Sequence, residues 1–477
     1  MGVAEQTKIF LNLLTEPPSS LCKTYKCNCF ISIGEIVNPA QLAHTKSLSI
    51  SPKNKPPPEL SIDHHDAVTL LPSRFSCNHS QQFFKFQVPS LTHHTMQILL
   101  LDGGLGTTLE SPPYNITFTP QTPLWSSHLL LSAPSTLAAV HRSFRAAGAD
   151  ILLTATYQSS TEGFTRTRPE LTDEDAARYM RSAVKIARGV VGDPLSASAS
   201  VKQEEKEKGE TQGHDTRGLE QGRQCRVALS LGPFGATMTP VSAEYSGVYP
   251  SEMDSEGALR SWHARRLGVF VEDGEAWDGV EYVAFETVKR TDEVRAVRGA
   301  IFDVTQGLEQ GYGRKPWWVC GVFPTEEVDE GEVRRWVAAA LREQRDGSGF
   351  ALPRPWGIGV NCTRVDHIIR IVEIMRDELH RLSERGDFVD EWASRSGRPW
   401  LVLYPDGTKG EKYDPVSKTW VAGATAVRRP WDESFWDVVQ RQAEGDWEGI
   451  IIASRCQATL AGLDGLRIAA PSIYVTS

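Results

Sequence analysis

A chain of 477 residues, 40% hydrophobic and 23% charged, has the composition of an ordinary water-soluble globular protein. Its length suggests roughly two to four domains, although one α/β barrel of about 250 residues or more would also account for it. The net charge of -9, with no basic stripe, argues against a nucleic-acid partner, because phosphate binding needs clustered lysine and arginine.

No stretch approaches the ~18 consecutive apolar residues that cross a bilayer, so no membrane partner is expected. The opening Met1-Gly2-Val3-Ala4-Glu5-Gln6 carries an early acid and no basic start, so it does not read as a secretory signal. Eight scattered cysteines form no disulfide framework, which fits a reducing compartment and points to the cytoplasm.

In chain order, residues 1–95 form a low-order extension. Pro17-Pro18-Ser19-Ser20 and Pro56-Pro57-Pro58 interrupt any periodicity there, and half of the twelve histidines fall in this segment. Cys22, Cys27 and Cys29 have no Cys-x2-Cys pairing that would mark a metal site. Met96 stands directly before the first strand, so translation beginning there, with 1–95 an artefact of the gene model, is one reading of the segment.

From residue 98 short apolar runs alternate with helix-like segments. They occupy 98–101, 151–154, 227–231, 282–285, 317–322, 358–360, 401–403 and 450–452. Eight buried strands with intervening helices predict an α/β fold, a closed (β/α)8 TIM barrel over 96–470, with an open doubly wound sheet as the alternative. Between the first two runs, Pro134 opens a helix, and Leu137, Val140, Phe144 and Ala147 recur at three- and four-residue steps. Gly148 is placed to close it in the left-handed conformation. A polar run at about 197–226, including Glu204-Glu205-Lys206-Glu207-Lys208, reads as a solvated insertion before the third strand. Residues 376–398, also polar, should hold a helix and a loop before the seventh.

In a parallel barrel, chemistry belongs to the C-terminal strand ends, and four segments place reactive residues there. Gly357-Ile358-Gly359-Val360-Asn361-Cys362-Thr363 sets a thiol where a buried strand meets solvent, a candidate metal ligand or nucleophile. Asp102-Gly103-Gly104 follows the first strand; its glycines would let backbone amides approach a carboxylate, or would simply make a tight turn. Glu286 is either a carboxylate for a substrate ammonium group or, with Thr287, an acid at a helix start. Cys320 ends the fifth run and is either a further thiolate near the mouth or a buried structural cysteine. Cys225, before its strand, should lie at the opposite face. His128, His141 and His263 fall in helical patterns and should pack or face solvent.

Together with Thr154-Ala155-Thr156-Tyr157-Gln158 and Ser230-Leu231-Gly232-Pro233-Phe234-Gly235-Ala236, these segments resemble in order and spacing the homocysteine S-methyltransferase family. Its members are zinc-dependent barrels that methylate L-homocysteine to methionine. The resemblance implies a methyl donor such as S-methylmethionine or S-adenosylmethionine. It also implies substrate contacts from Asp102, Gly103, Gly104, Tyr157, Gln158, Glu286, Thr287 and Asn361, and Zn2+ held by Cys362 and by cysteines after the eighth strand. Tyr245, in a segment resembling the family's Glu-Tyr-x-Gly, could face a sulfonium by cation-π attraction or pack under a loop. Tyr404-Pro405-Asp406-Gly407, followed by Tyr413 and Trp420, resembles the family's Tyr-Pro-Asn-x-Gly stretch.

The family's Gly-Gly-Cys-Cys is altered here to Ala453-Ser454-Arg455-Cys456. Cys456 matches the second cysteine and Arg455 replaces the first. Arginine is cationic at any accessible pH and offers a metal no donor pair. The alternative reading is therefore a catalytically impaired barrel that acts as a binding protein.

Because the extension cannot supply a core and the first strand begins at about residue 98, a chain starting at Met96 is expected to fold with an unchanged thermal midpoint. A thermal melt showing marked destabilisation on truncation would mean that residues 1–95 pack on the barrel.

Overall fold

The computed structural model describes residues 96–119, 122–192, 224–238, 243–306, 308, 315–387, 397–406, 412–414, 419–421, 431–442 and 446–453. The N-terminal extension, the core of the polar insertion, and both Arg455 and Cys456 lie outside the described residues.

Eight parallel strands close a barrel: β1 (Gln97–Leu101), β2 (Ile151–Leu153), β3 (Arg226–Leu231), β4 (Tyr282–Phe285), β5 (Trp317–Gly321), β6 (Gly357–Asn361), β7 (Trp400–Tyr404) and β10 (Gly449–Ala453). Around the ring they run β1-β10-β7-β6-β5-β4-β3-β2, so the order is sequential and β1 meets β10. The short strands β8 (Lys412–Asp414) and β9 (Thr419–Val421) pair antiparallel between β7 and the last barrel strand. No helix among the described residues is long and apolar enough to cross a membrane.

Strands covered on both faces read as continuous apolar runs, which is why they stood out in the sequence. Alternate residues separate into two layers. Ile98, Leu100, Leu152, Val227, Leu229, Val319, Ile358, Val360, Leu401, Ile450 and Ile452 pack outward against the helices. Leu99, Leu101, Ile151, Ala228, Ala284, Trp318, Cys320, Val402, Tyr404 and Ile451 fill the interior. The helix Pro134–Ala146 starts with proline at its first turn and buries Leu137, Val140 and Phe144. Gly148 follows at φ +97°; the local sequence rules hold at both ends.

At the N-terminal end an aromatic group stops the barrel. Trp356 stacks on Trp400 with ring centroids 4.6 Å apart and lies 5.5 Å from Tyr282. Arg226 donates to the Tyr282 hydroxyl at 2.8 Å and sits over its ring. Space for such bulk comes from β6. A Cβ on Gly357 would lie 3.3 Å from those of Trp318 and Trp400, and one on Gly359 would lie 1.8 Å from the Val402 carbonyl oxygen.

Gly359→Ala is therefore expected to destabilise the barrel by about 3 kcal/mol, the upper end for overpacked cores, because the obstacle is backbone rather than a movable side chain. Denaturant unfolding would register this; an unchanged midpoint would show that β6 and β7 separate freely.

Candidate active site

At the C-terminal ends of β4 and β6 two residues other than glycine adopt left-handed backbone, Thr287 at φ +60° and Cys362 at φ +47°. Such conformations are uncommon outside glycine and persist where surrounding bonds enforce them. Here the Asn361 side chain joins the two residues. Its Oδ1 accepts the Thr287 N–H at 2.7 Å, and its Nδ2 donates to Thr287 Oγ1 at 2.7 Å and to Cys362 Sγ at 3.3 Å. Thr287 Oγ1 approaches the same sulfur at 3.9 Å, and the Cys362 N–H donates to the Tyr404 carbonyl at 3.2 Å. The sulfur thus accepts from two donors, and the amide of buried Asn361 is taken up by the protein itself.

Beside this bracket stands Glu286, 6% exposed. The hydroxyl of Ser230 donates to its Oε1. Burial pushes the carboxyl up to about 7, opposed by the Ser230 hydrogen bond, the Tyr404 hydroxyl and the positive charge of Arg266. Asp102 is buried at the end of β1. Its Oδ2 accepts the Leu153 N–H at 2.9 Å, while Oδ1 has no hydrogen-bond partner among the described residues. Burial holds this carboxyl well above the usual range, with the Leu153 bond opposing and Glu286 adding to the shift. Gln158 is buried with Nε2 unpartnered, and the buried Tyr404 hydroxyl, near Cys320, Glu286 and Trp318, has no well-formed bond. Buried polar atoms are costly to leave unsatisfied. Asp102 Oδ1, Gln158 Nε2 and the Tyr404 hydroxyl mark an interior suited to a polar ligand.

The structure brings Tyr157, Glu286, Thr287, Asn361 and Cys362 together: the Tyr157 phenol is pushed up by burial and by Glu244 and Cys362, while a Thr287 hydrogen bond opposes this. Gly103 and Gly104 lie at the mouth between Asp102 and the short helix Leu105–Glu110. Cys320 faces the barrel interior fully buried, and burial raises its thiol well above the ordinary range. Cys225 precedes β3, away from the mouth. His263 is buried 3.0 Å from Glu293 and His141 is buried within its helix, so both belong to the packing.

Among the described residues no group of three or more His, Cys, Asp or Glu could hold a metal ion. Cys362 is the thiol available at the mouth, and the sequence beyond Ala453 supplies Cys456 with arginine before it. Two thiolates do not make the three-thiolate zinc set expected from the resemblance.

Arg266 escaped the sequence reading. The buried stripe of the helix Glu256–Val271 is Leu259, Trp262, His263, Arg266, Leu267 and Phe270, so an arginine falls on an apolar helical period. That misplacement was the available signal. Ser230 was visible only as part of a loop motif, its partner being 56 residues away.

The family profile described as homocysteine S-methyltransferase matches residues 99–453. Homocysteine S-methyltransferase 2 of Zea mays is 34% identical over 323 residues, 68% of this chain and 77% of the relative. Homocysteine S-methyltransferase 3 of Zea mays is 33% identical over 327 residues, 68% and 77% of the two chains. Selenocysteine Se-methyltransferase of Brassica oleracea var. italica is 28% identical over 340 residues, 70% and 80%.

Glu286→Gln is expected to weaken binding of homocysteine by roughly one to two decades, the loss of a charge-assisted hydrogen bond of about 1.5 to 3 kcal/mol, with little change in stability. Titration calorimetry decides it; parent-like affinity would reduce this carboxylate to a structural partner of Ser230.

Proposed function

Because the chain belongs to the homocysteine S-methyltransferase family, enzymes that transfer a methyl group to the thiol of homocysteine, we propose that its donor is a sulfonium, S-methylmethionine or S-adenosylmethionine. In this reading the acceptor amino acid lies in the barrel mouth. Glu286 holds its ammonium group, whose positive charge favours the ionised carboxylate despite burial. Asp102 and the amides of Gly103 and Gly104 face the rest of the amino-acid head, and Tyr157 and Gln158 form the wall. Asn361 and Thr287 fix the thiol end through their bonds to Cys362.

The acceptor sulfur attacks the donor methyl carbon in line. The carbon bond to the sulfonium breaks, its electron pair returning to the departing sulfur, which leaves as a neutral thioether. The acceptor's thiol proton goes to solvent. Tyr245 would face the positive sulfonium. The observation that carries the reading is the presence of an enclosed carboxylate, Glu286, and a thiol, Cys362, at the ends of β4 and β6, with one asparagine side chain tying Cys362 to Thr287, the residue after the carboxylate. A cytoplasmic location suits both substrates.

Zinc is general in this family, and in this chain Cys362 and Cys456 would be its protein ligands. With arginine at 455 the set lacks one thiolate, which favours a second reading, a barrel that binds the amino acid with little turnover. The chain is expected to retain zinc substoichiometrically after dialysis and to form little methionine. Arg455→Cys, with Ala453→Gly and Ser454→Gly, should raise both. Metal analysis beside a methionine-formation assay decides it; one tightly held zinc per chain with full activity in the parent would overturn the two-ligand account.

A further inference from the structure

Arg266 is 4% exposed, and its guanidinium is directed at backbone. Nη1 donates to the Gly232 carbonyl at 2.6 Å, and Nη2 donates to the carbonyls of Thr156 at 2.9 Å and Tyr157 at 2.7 Å. These three carbonyls come from the loops after β2 and β3, and the loops are also tied directly, the Gly232 N–H donating to the Tyr157 carbonyl at 2.9 Å. Trp262 lies beneath the guanidinium at 5.1 Å. A planar cation with several donors can gather carbonyls from two segments at once, whereas an ammonium is a single point.

Little slack surrounds the cluster. A Cβ on Gly232 would stand 2.8 Å from both the Tyr157 ring and the Tyr157 carbonyl oxygen, and one on Gly235 would stand 2.5 Å from the Glu244 amide nitrogen. Arg266 therefore fixes where the Tyr157 backbone lies, and that residue's phenol is within hydrogen-bonding reach of Thr287 and electrostatic reach of Cys362. The buried charge costs free energy that a core of apolar residues at this place would avoid.

We infer that Arg266 is a positioning residue for methyl transfer, touching neither substrate and acting through the carbonyls of Thr156, Tyr157 and Gly232 to set Tyr157 against the Thr287–Cys362 end of the site. The inference rests on Tyr157 walling the acceptor pocket. It assigns Arg266 to the geometry of the reacting thiol rather than to the ammonium group at Glu286.

Arg298 provides the comparison. It too is buried and donates to four carbonyls, of Pro353, Ala339, Arg342 and Leu352, but these belong to the loop before β6 and to a helix end, away from the mouth. Arg266→Lys and Arg298→Lys are compared with the parent for thermal midpoint, hydrogen exchange, homocysteine affinity and steady-state kinetics. Arg266→Lys is expected to speed exchange in peptides covering 156–159 and 230–236, and to lower kcat roughly tenfold to a hundredfold, the scale of a misplacement of about 1 Å. Homocysteine affinity should stay within about threefold of the parent. Arg298→Lys should lower the midpoint with kcat and exchange at those peptides unchanged.

If Arg266→Lys matches Arg298→Lys in all four measurements, the inference is overturned. Should Arg266→Lys fail to fold, Gly232→Ala moves the same carbonyls with Arg266 intact; a comparable fall in kcat supports the inference and parent-like kcat overturns it. A parent that neither binds nor methylates homocysteine would refute the proposed function instead, and exchange at 156–159 would still report whether Arg266 holds the loop.

Discussion

Closure between β1 and β10 is the pairing on which the remaining geometry depends. Five parallel partners, from Gln97 with Gly449 to Leu101 with Ala453, convert a sheet into a ring, and a ring leaves no edge strand to be capped. It also fixes which residues are neighbours. Asp102 follows the last paired residue of β1 and Ser454 the last of β10, so the acidic loop and the altered cysteine segment leave adjacent strands. Glu286 and Cys362 are 76 positions apart in the chain, yet each ends a strand on the same side of the ring.

Within that ring, satisfied and unsatisfied polar groups divide the labour. The Asn361 amide and both terminal nitrogens of Arg266 are bonded to protein groups and hold backbone in place. Asp102 Oδ1, Gln158 Nε2 and the Tyr404 hydroxyl are enclosed without one among the described residues. Such atoms occur elsewhere in the fold as well, so it is the presence of three of them beside Glu286 at the strand ends that points to a polar ligand there. The Glu286 carboxyl joins the two sets, bonded by Ser230 on one side and short of full charge compensation on the other.

The barrel was legible in the sequence because each of its strands is sealed on both faces and so appears as an uninterrupted apolar run. All eight runs became barrel strands, with no end shifted by more than one residue. Pro134 and Gly148 marked a helix through backbone constraints that act locally. The candidate site was legible in part, because Glu286 and Cys362 sit directly after such runs. What was hidden depends on contacts across the chain. Neither Thr287 nor Cys362 is a residue type that announces left-handed backbone; it is held at Thr287 by the amide of Asn361 and at Cys362 by the Tyr404 carbonyl. Arg266 bonds to carbonyls 34 to 110 residues away, and carbonyls have no sequence signature. The β8–β9 hairpin was also missed, its strands being three residues each.

The stacked Trp356 and Trp400, with Tyr282 against them, close the ring at the end away from Glu286. Above this group the interior is packed with side chains, so reactants meet the site from the face that carries the strand ends. Two reactants arriving and two products departing would share that face. The loops after β2 and β3, pinned beneath by one arginine, form part of its rim. Their attachment to one arginine therefore bears on passage across that face as well as on the alignment of reacting atoms.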